Sequence, residues 1–241
     1  MGTETYLSYD IRHTSRGFVL VDKKNVAVYA VLLLLVSLMV VGIMAWVISN
    51  PFEPDNVDYV EVREYEGQDL SSISAFRENS IKGPQYVDNQ TYRLALTGLV
   101  NNPKNYTYDE VVNGFPMHKK VVTLHCVEGW KVTILWEGIQ LADLFADAQV
   151  DSSANTVIFY AYDGYSTALP LDYILENDIM IAYKMNNVTL PAERGYPFEL
   201  VAESKLGYKW IKWITQIELS DDKDYLGFWE KYGYPNEANL R

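Results

Sequence analysis

Cys126 is the only cysteine in the chain and stands in the run Val121-Val122-Thr123-Leu124-His125-Cys126-Val127-Glu128-Gly129-Trp130. One thiol cannot close an internal disulfide, which leaves three readings: an inert core residue, a reactive nucleophile, or a soft metal ligand. It ends a β-branched strand and is followed at once by Glu128-Gly129-Trp130, where a chain leaves its sheet. Functional groups gather where a rigid element gives way to a loop. His125 adjoins the cysteine but, on an extended strand, points to the opposite face. His118 lies in a loop without a recognisable partner. Two histidines with no cysteine or carboxylate at ligand spacing do not make a zinc site.

Other segments with chemical potential follow in order. The first are Phe76-Arg77-Glu78-Asn79-Ser80-Ile81-Lys82-Gly83-Pro84 and Tyr92 to Val100. After the cysteine come Trp136-Glu137-Gly138-Ile139-Gln140-Leu141, Asp163-Gly164-Tyr165-Ser166-Thr167 and Gly195-Tyr196-Pro197-Phe198. The last are Gly207-Tyr208-Lys209-Trp210-Ile211-Lys212-Trp213 and Gly227-Phe228-Trp229-Glu230-Lys231-Tyr232-Gly233-Tyr234. Together with the Cys-Val-Glu-Gly-Trp run, these landmarks resemble the molybdopterin-dependent oxidoreductases of the sulfite oxidase superfamily.

The resemblance implies a molybdenum-molybdopterin cofactor with Cys126 as the one protein ligand to the metal. A thiolate is a soft, strongly donating ligand suited to such a centre. It implies that Arg77, Asn79 and Ser80 hold the pterin; Ser80 stands where the family often has histidine. An arginine fork and an amide suit polar ring edges and phosphate oxygens. It further implies that Lys209 and Lys212 grip the pterin and its phosphate. Strand alternation puts these two lysines on opposite faces, and Lys209, at the turn, is the favoured one. Arg194 takes a positive role near Glu199, a position where many members carry arginine, and a carboxylate there argues against sulfite as substrate. Tyr165 is expected at a substrate channel. The tail Tyr225 to Tyr234 reads as a hydrophobic clasp.

The activity implied is oxygen-atom transfer on a small sulfur- or nitrogen-containing oxide or oxyanion. No haem-attachment motif is present, so electrons would be exchanged with a separate cytochrome, quinone or soluble carrier. A non-catalytic binding or scaffold module on the same fold is the alternative, which retention of Cys126 argues against.

The chain has 241 residues and a formal net charge of −12, a balance unsuited to nucleic acid, whose phosphates require a basic face. Acidity can also attract a basic redox partner. Residues 26–49 carry no charge; as a helix they would span ~36 Å, enough for a bilayer core. Asn50-Pro51-Phe52 is not a signal-peptide cleavage site, which favours a retained anchor. Arg12, Arg16, Lys23 and Lys24 precede the span and Glu53, Asp55, Asp58, Glu61 and Glu64 follow it, so the N-terminus is expected in the cytoplasm and the bulk outside. Three sequons, at Asn89, Asn105 and Asn187, agree with that side.

The expected organisation is a cytoplasmic segment 1–25, an anchor helix 26–49, a linker 50–75 and a cofactor domain 76–241. The domain is expected to be α+β, with mixed sheets and short helices. Strands are expected at Thr91 to Leu99 (Tyr92, Leu94 and Leu96 on one face), Val121 to Cys126 and Thr156 to Tyr162, with a hairpin arm at Ile179 to Lys184. A last strand is expected over Trp210 to Leu219, with Ile211, Trp213, Thr215 and Ile217 facing one way. Gln140 to Ala148 and Leu171 to Asn177 read as helices.

Overall fold

The computed structural model describes residues 23–49 and 60–240. The chain divides into two units, Met1–Val57 and Asp58–Arg241. In the first unit the described residues form one helix, α1 (Lys23–Ser49), 27 residues long. Its side chains are described in part, between Val28 and Met44; Leu33 and Met39 are 70% and 68% exposed. Among the described residues no helix is long and apolar enough to cross a membrane. The expected segment 1–25, except for its last three residues, lies outside the described part, as does the linker up to residue 59.

The second unit begins before the expected position 76. Strands β1 (Glu64–Tyr65) and β2 (Gln68–Asp69) form a small hairpin that turns at Glu66 and Gly67, both at positive φ. Buried Asn186 ties this segment down: its amide donates to Ser71 O (2.9 Å) and Glu61 Oε1 (3.2 Å) and accepts from Leu135 N. A polar anchor in the middle of the chain thus makes most of the expected linker part of the domain.

The remaining elements are β3 (Leu94–Gly98), β4 (Lys104–Tyr106), α2 (Tyr108–Gly114), β5 (His118–His125), β6 (Lys131–Gln140) and α3 (Leu141–Ala148). Then come β7 (Thr156–Ala161), β8 (Ser166–Pro170), α4 (Leu171–Glu176), β9 (Met180–Met185), β10 (Val188–Thr189), β11 (Glu199–Val201) and β12 (Ile214–Ser220). They build two five-stranded sheets. One is antiparallel, ordered β5-β6-β9-β10, with β11 also paired to β9. The other is ordered β4-β3-β12-β7-β8 and is mixed, because β12 runs parallel to β3. The α+β expectation of mixed sheets with short helices agrees with this arrangement.

Alternation explains the core. Tyr92, Leu94 and Leu96 are buried on one side of the β3 segment, and Val122, Leu124, Val132 and Ile134 on one side of the β5–β6 hairpin. One continuous apolar cluster joins residues of both sheets. The hairpin β9–β10 turns through Asn186 (φ 48°) and Asn187 (φ 68°), the left-handed pair that a two-residue turn demands.

Two expectations change. Helix α2 was not anticipated, although Thr107 and Glu110 form a capping box: the Thr107 hydroxyl accepts from Glu110 N and the Glu110 carboxylate from Thr107 N. The alternation expected over Trp210 to Leu219 also fails. Gly207–Lys209 is a 3-10 turn, Trp213 is left-handed at φ 57°, and the strand starts only at Ile214 with an irregularity before Gln216. The inward residues are therefore Ile214, Ile217 and Leu219. Trp213 is held in this conformation by its indole N–H, which donates to Ala192 O at 2.6 Å.

Gly138 marks a close backbone approach: a Cβ there would lie 2.0 Å from Ile181 O. Gly138→Ala is expected to destabilise the domain by about 3 kcal/mol or more, since β6 and β9 must separate to admit the methyl. Denaturant unfolding of the purified variant checks this.

Candidate functional site

The β5–β6 hairpin positions the thiol. Its turn runs from Cys126 to Gly129, closed by Cys126 N donating to Trp130 O (2.9 Å) and Gly129 N donating to Cys126 O (3.0 Å). Gly129 has φ 88°, a conformation costly for a side-chain-bearing residue. Cys126 is half-buried. Burial pushes its thiol up, while backbone N–H groups of Glu128 and Val127 and the Asn79 amide, 3.6 Å from Sγ, pull it down. The balance leaves the thiol raised, since the charge of Glu128 adds to burial and the donors offset only part of it.

The sulfur opens into a cavity of about 460 Å³. Cys126, Arg77, Asn79, Ser80, Tyr165, Arg194 and Lys212 all line it, and so do Phe76, Trp130, Trp210, Trp229 and Tyr234. Segments far apart in sequence thus bring seven of the eight expected site residues together. The eighth, Lys209, is the correction. It is fully buried, with Nζ 2.5 Å from Glu230 Oε1, 3.0 Å from Ala168 O and 2.9 Å from Asn236 Oδ1. The 3-10 turn that replaces the expected strand swings this ammonium to the C-terminal segment, leaving Lys212 as the lysine in the cavity wall.

The cavity's cations are already oriented. Lys212 donates to Glu78 Oε1 (2.9 Å) and Glu193 O (3.3 Å) and sits over the Trp213 ring. Burial would raise the Glu78 carboxyl, but hydrogen bonding and attraction to Lys212 hold it below the usual carboxylate range. Arg194 donates to Phe76 O (3.1 Å) and lies 4.9 Å over the Phe76 ring; burial lowers its pKa. Glu199, on β11, is 3% exposed, and burial pushes its carboxyl up to about 8 despite Lys212 and Arg194. Its Oε2 and the Ser80 Oγ are buried without a hydrogen-bond partner of good geometry.

Tyr165 serves as wall. Its hydroxyl donates to Tyr208 O (2.6 Å), its ring meets Phe228, and burial raises its pKa. His118 does have a partner, Asp143 at 3.6 Å. Among the described residues no group of three His, Cys, Asp or Glu could hold a metal ion. Sequence reasoning missed Glu78 and the aromatic wall of Phe76 and Trp130, whose rings meet edge-on at 6.2 Å. Their signal was adjacency: each sits beside a residue already singled out.

Two outcomes follow from these contacts. Lys209→Met should cost about 3–5 kcal/mol by stranding the Glu230 carboxylate, with part recovered in the Lys209→Met, Glu230→Gln double variant; chemical unfolding measures both. A carboxyl raised in the fold loses stability as pH climbs from its unfolded value toward about 8. Glu199→Gln is therefore expected to gain, relative to the native chain, on the order of 3 kcal/mol between pH 5 and 8, seen in the pH dependence of unfolding.

Residues 81–229 match the family described as oxidoreductase molybdopterin binding domain. The chain is 33% identical over 152 residues to the uncharacterized oxidoreductase YuiH of Bacillus subtilis (strain 168), covering 63% of this chain and 76% of that one. It is 29% identical over 177 residues to the protein-methionine-sulfoxide reductase catalytic subunit MsrP of Gluconobacter oxydans (strain 621H), covering 64% and 57%, so it spans little more than half of that relative. Among solved structures, the sulfane dehydrogenase SoxCD of Paracoccus pantotrophus shares the fold, with TM-score 0.55 and 23% identity over 58% of this chain and 41% of that one. The cavity and the match together make the conclusion plain: this chain belongs to the oxidoreductase molybdopterin binding domain family and is an oxidoreductase with a molybdenum-pterin cofactor.

Proposed function

We propose that the protein is a membrane-anchored enzyme that moves an oxygen atom to or from a small sulfur- or nitrogen-containing oxide or oxyanion outside the membrane. The observation that carries this reading is the Cys126 sulfur, presented to a cavity that also holds Arg77, Arg194 and Lys212. The residues fit the cofactor: one soft donor for the metal, cations for a phosphate, and two unpartnered polar atoms, Ser80 Oγ and Glu199 Oε2, for polar edges. When bound, the cofactor supplies a two-electron metal centre able to exchange an oxygen atom.

The chain's own part is positional. Asn79 and the turn amides direct hydrogen-bond donors at the Cys126 sulfur, and a bound metal would hold it as the thiolate. Arg194 and Lys212 are held by Phe76 O and Glu78, so they meet an anion without first being ordered. Phe76, Trp130 and Trp210 exclude water, and Trp229 and Tyr234 supply an apolar rim. The relative named as a methionine-sulfoxide reductase favours a sulfoxide as the oxide. Electrons are exchanged with a separate cytochrome, quinone or soluble carrier. The uncharged run of residues 26–49 and the basic residues before it are what support an anchor with the N-terminus inside.

Cys126→Ser tests the centre of the proposal. In a host that makes the pterin, the native chain should carry one molybdenum, and the variant should keep its fold and much of its pterin. Oxygen-atom transfer should fall steeply, by about a thousandfold, and the paramagnetic signal of the reduced enzyme should lose thiolate character. A variant that loses only about 1–3 kcal/mol of stability with an unchanged metal signal would show an inert core thiol instead. Protease access to the domain from outside intact cells checks the orientation; access only from the cytoplasmic side refutes it.

A further inference from the structure

Glu199 stands apart from the other acidic side chains in the cavity wall. Glu78 pairs with Lys212, the Asp163 carboxylate accepts from Tyr165 N, and Glu128 accepts from the Trp130 indole. Glu199 lies on β11 opposite Ala182 of β9, is 3% exposed, and leaves Oε2 without a partner. Arg194 and Lys212 are its charged neighbours, and these in turn meet Glu78 and Glu193. Neither cation makes an ion pair with it; their hydrogen bonds go to Phe76 O, Glu78 and Glu193 O. The approach is close all the same, since a Cβ on Gly195 would lie 3.0 Å from Glu199 Cβ and 3.2 Å from Lys212 Cβ.

A carboxylate this deep, without an ion pair or an N–H donor, is costly in its charged form. The neutral acid avoids that cost and gains one O–H donor, for which no acceptor stands in reach among the described residues. An anion brought in by Arg194 and Lys212 would supply the acceptor. We propose that Glu199 is a further ligand-binding residue of this cavity, donating a hydrogen bond as a neutral carboxylic acid to an anionic oxygen of the bound group alongside Arg194 and Lys212. The inference rests on the functional reading above for the identity of that group, a phosphate-bearing pterin, though not for the binding itself.

Such a site binds its anion together with a proton. Burial pushes the free carboxyl up to about 8, so above that pH an incoming anion must first reprotonate it. Sulfate, a dianion throughout, is the probe. The full chain, produced without the cofactor, is titrated calorimetrically with sulfate near pH 6.5 and near pH 9.5, in buffers of different ionisation heat. Affinity is expected to fall about tenfold or more at the higher pH, with close to one proton taken up per sulfate. Glu199→Gln keeps a neutral donor and should bind sulfate with little pH dependence. A native chain whose sulfate affinity is flat, without proton uptake, overturns the proposal. So does a folded Gln variant that retains the native profile, and so does absence of sulfate binding at either pH. Proton uptake is read on the native chain, so the test stands even if the variant does not fold. Molybdenum and pterin contents of the loaded chain test the functional reading separately: cofactor present with a flat sulfate profile refutes this inference alone.

Discussion

A lysine with no exposure to solvent must find its charge an answer inside the protein, and Lys209 finds it in Glu230. The pair does more than neutralise itself. Thr167 donates to the same carboxylate oxygen, Ala168 O and Asn236 accept from the ammonium, and Phe228 N donates to Ser166 O. The segment around residues 225–236 is thereby fastened to β8. Through it Trp229 and Tyr234 reach the cavity, and Tyr165 is pressed between Phe228 and Tyr208 O. Remove the pair and one wall of the cavity has no fixed place.

Elsewhere in the cavity wall the logic is looser. Arg194 and Lys212 rest on single carbonyls, aromatic faces and one carboxylate, contacts a stronger anion can outbid. Cations held this way stay oriented, which favours binding of a charged group in a site that mixes charged residues with Phe76, Trp130 and Trp210. At the thiol the turn and Asn79 direct donors at a sulfur whose pKa burial and the Glu128 charge still hold up.

Much of this was legible in the sequence. Cys126 stood out by type and setting, Asn79 and Arg194 through the family resemblance, and the strands β3, β5, β7 and β9 followed from alternation, β-branched runs and turn residues. What could not be read was conformation set at a distance. Trp213 looks like one more alternating strand residue, yet its backbone is left-handed, fastened by its indole to Ala192 O and by its own N–H and carbonyl to Gly195 and Tyr162. That residue delays the start of β12 to Ile214, and the 3-10 turn Gly207–Lys209 before it carries Lys209 away from the cavity. Asn186 likewise reads as a turn residue, while its hold on Ser71 and Glu61 decides where the domain begins. Helix α2 is a different failure, because its Thr107–Glu110 cap was in plain sight.

The cavity wall is assembled from pieces near residues 77–81, 126–130, 163–165, 194–199, 207–213 and 229–234. Ribosomes deliver these pieces in order, and β3 waits for β12, its parallel partner more than a hundred residues later. A nascent chain that has emerged only as far as Arg194 carries Cys126 in its hairpin, yet has neither Lys212 nor the aromatic rim. The pocket is therefore complete only once the chain has been made through Tyr234, and any group that needs its whole wall meets it no earlier.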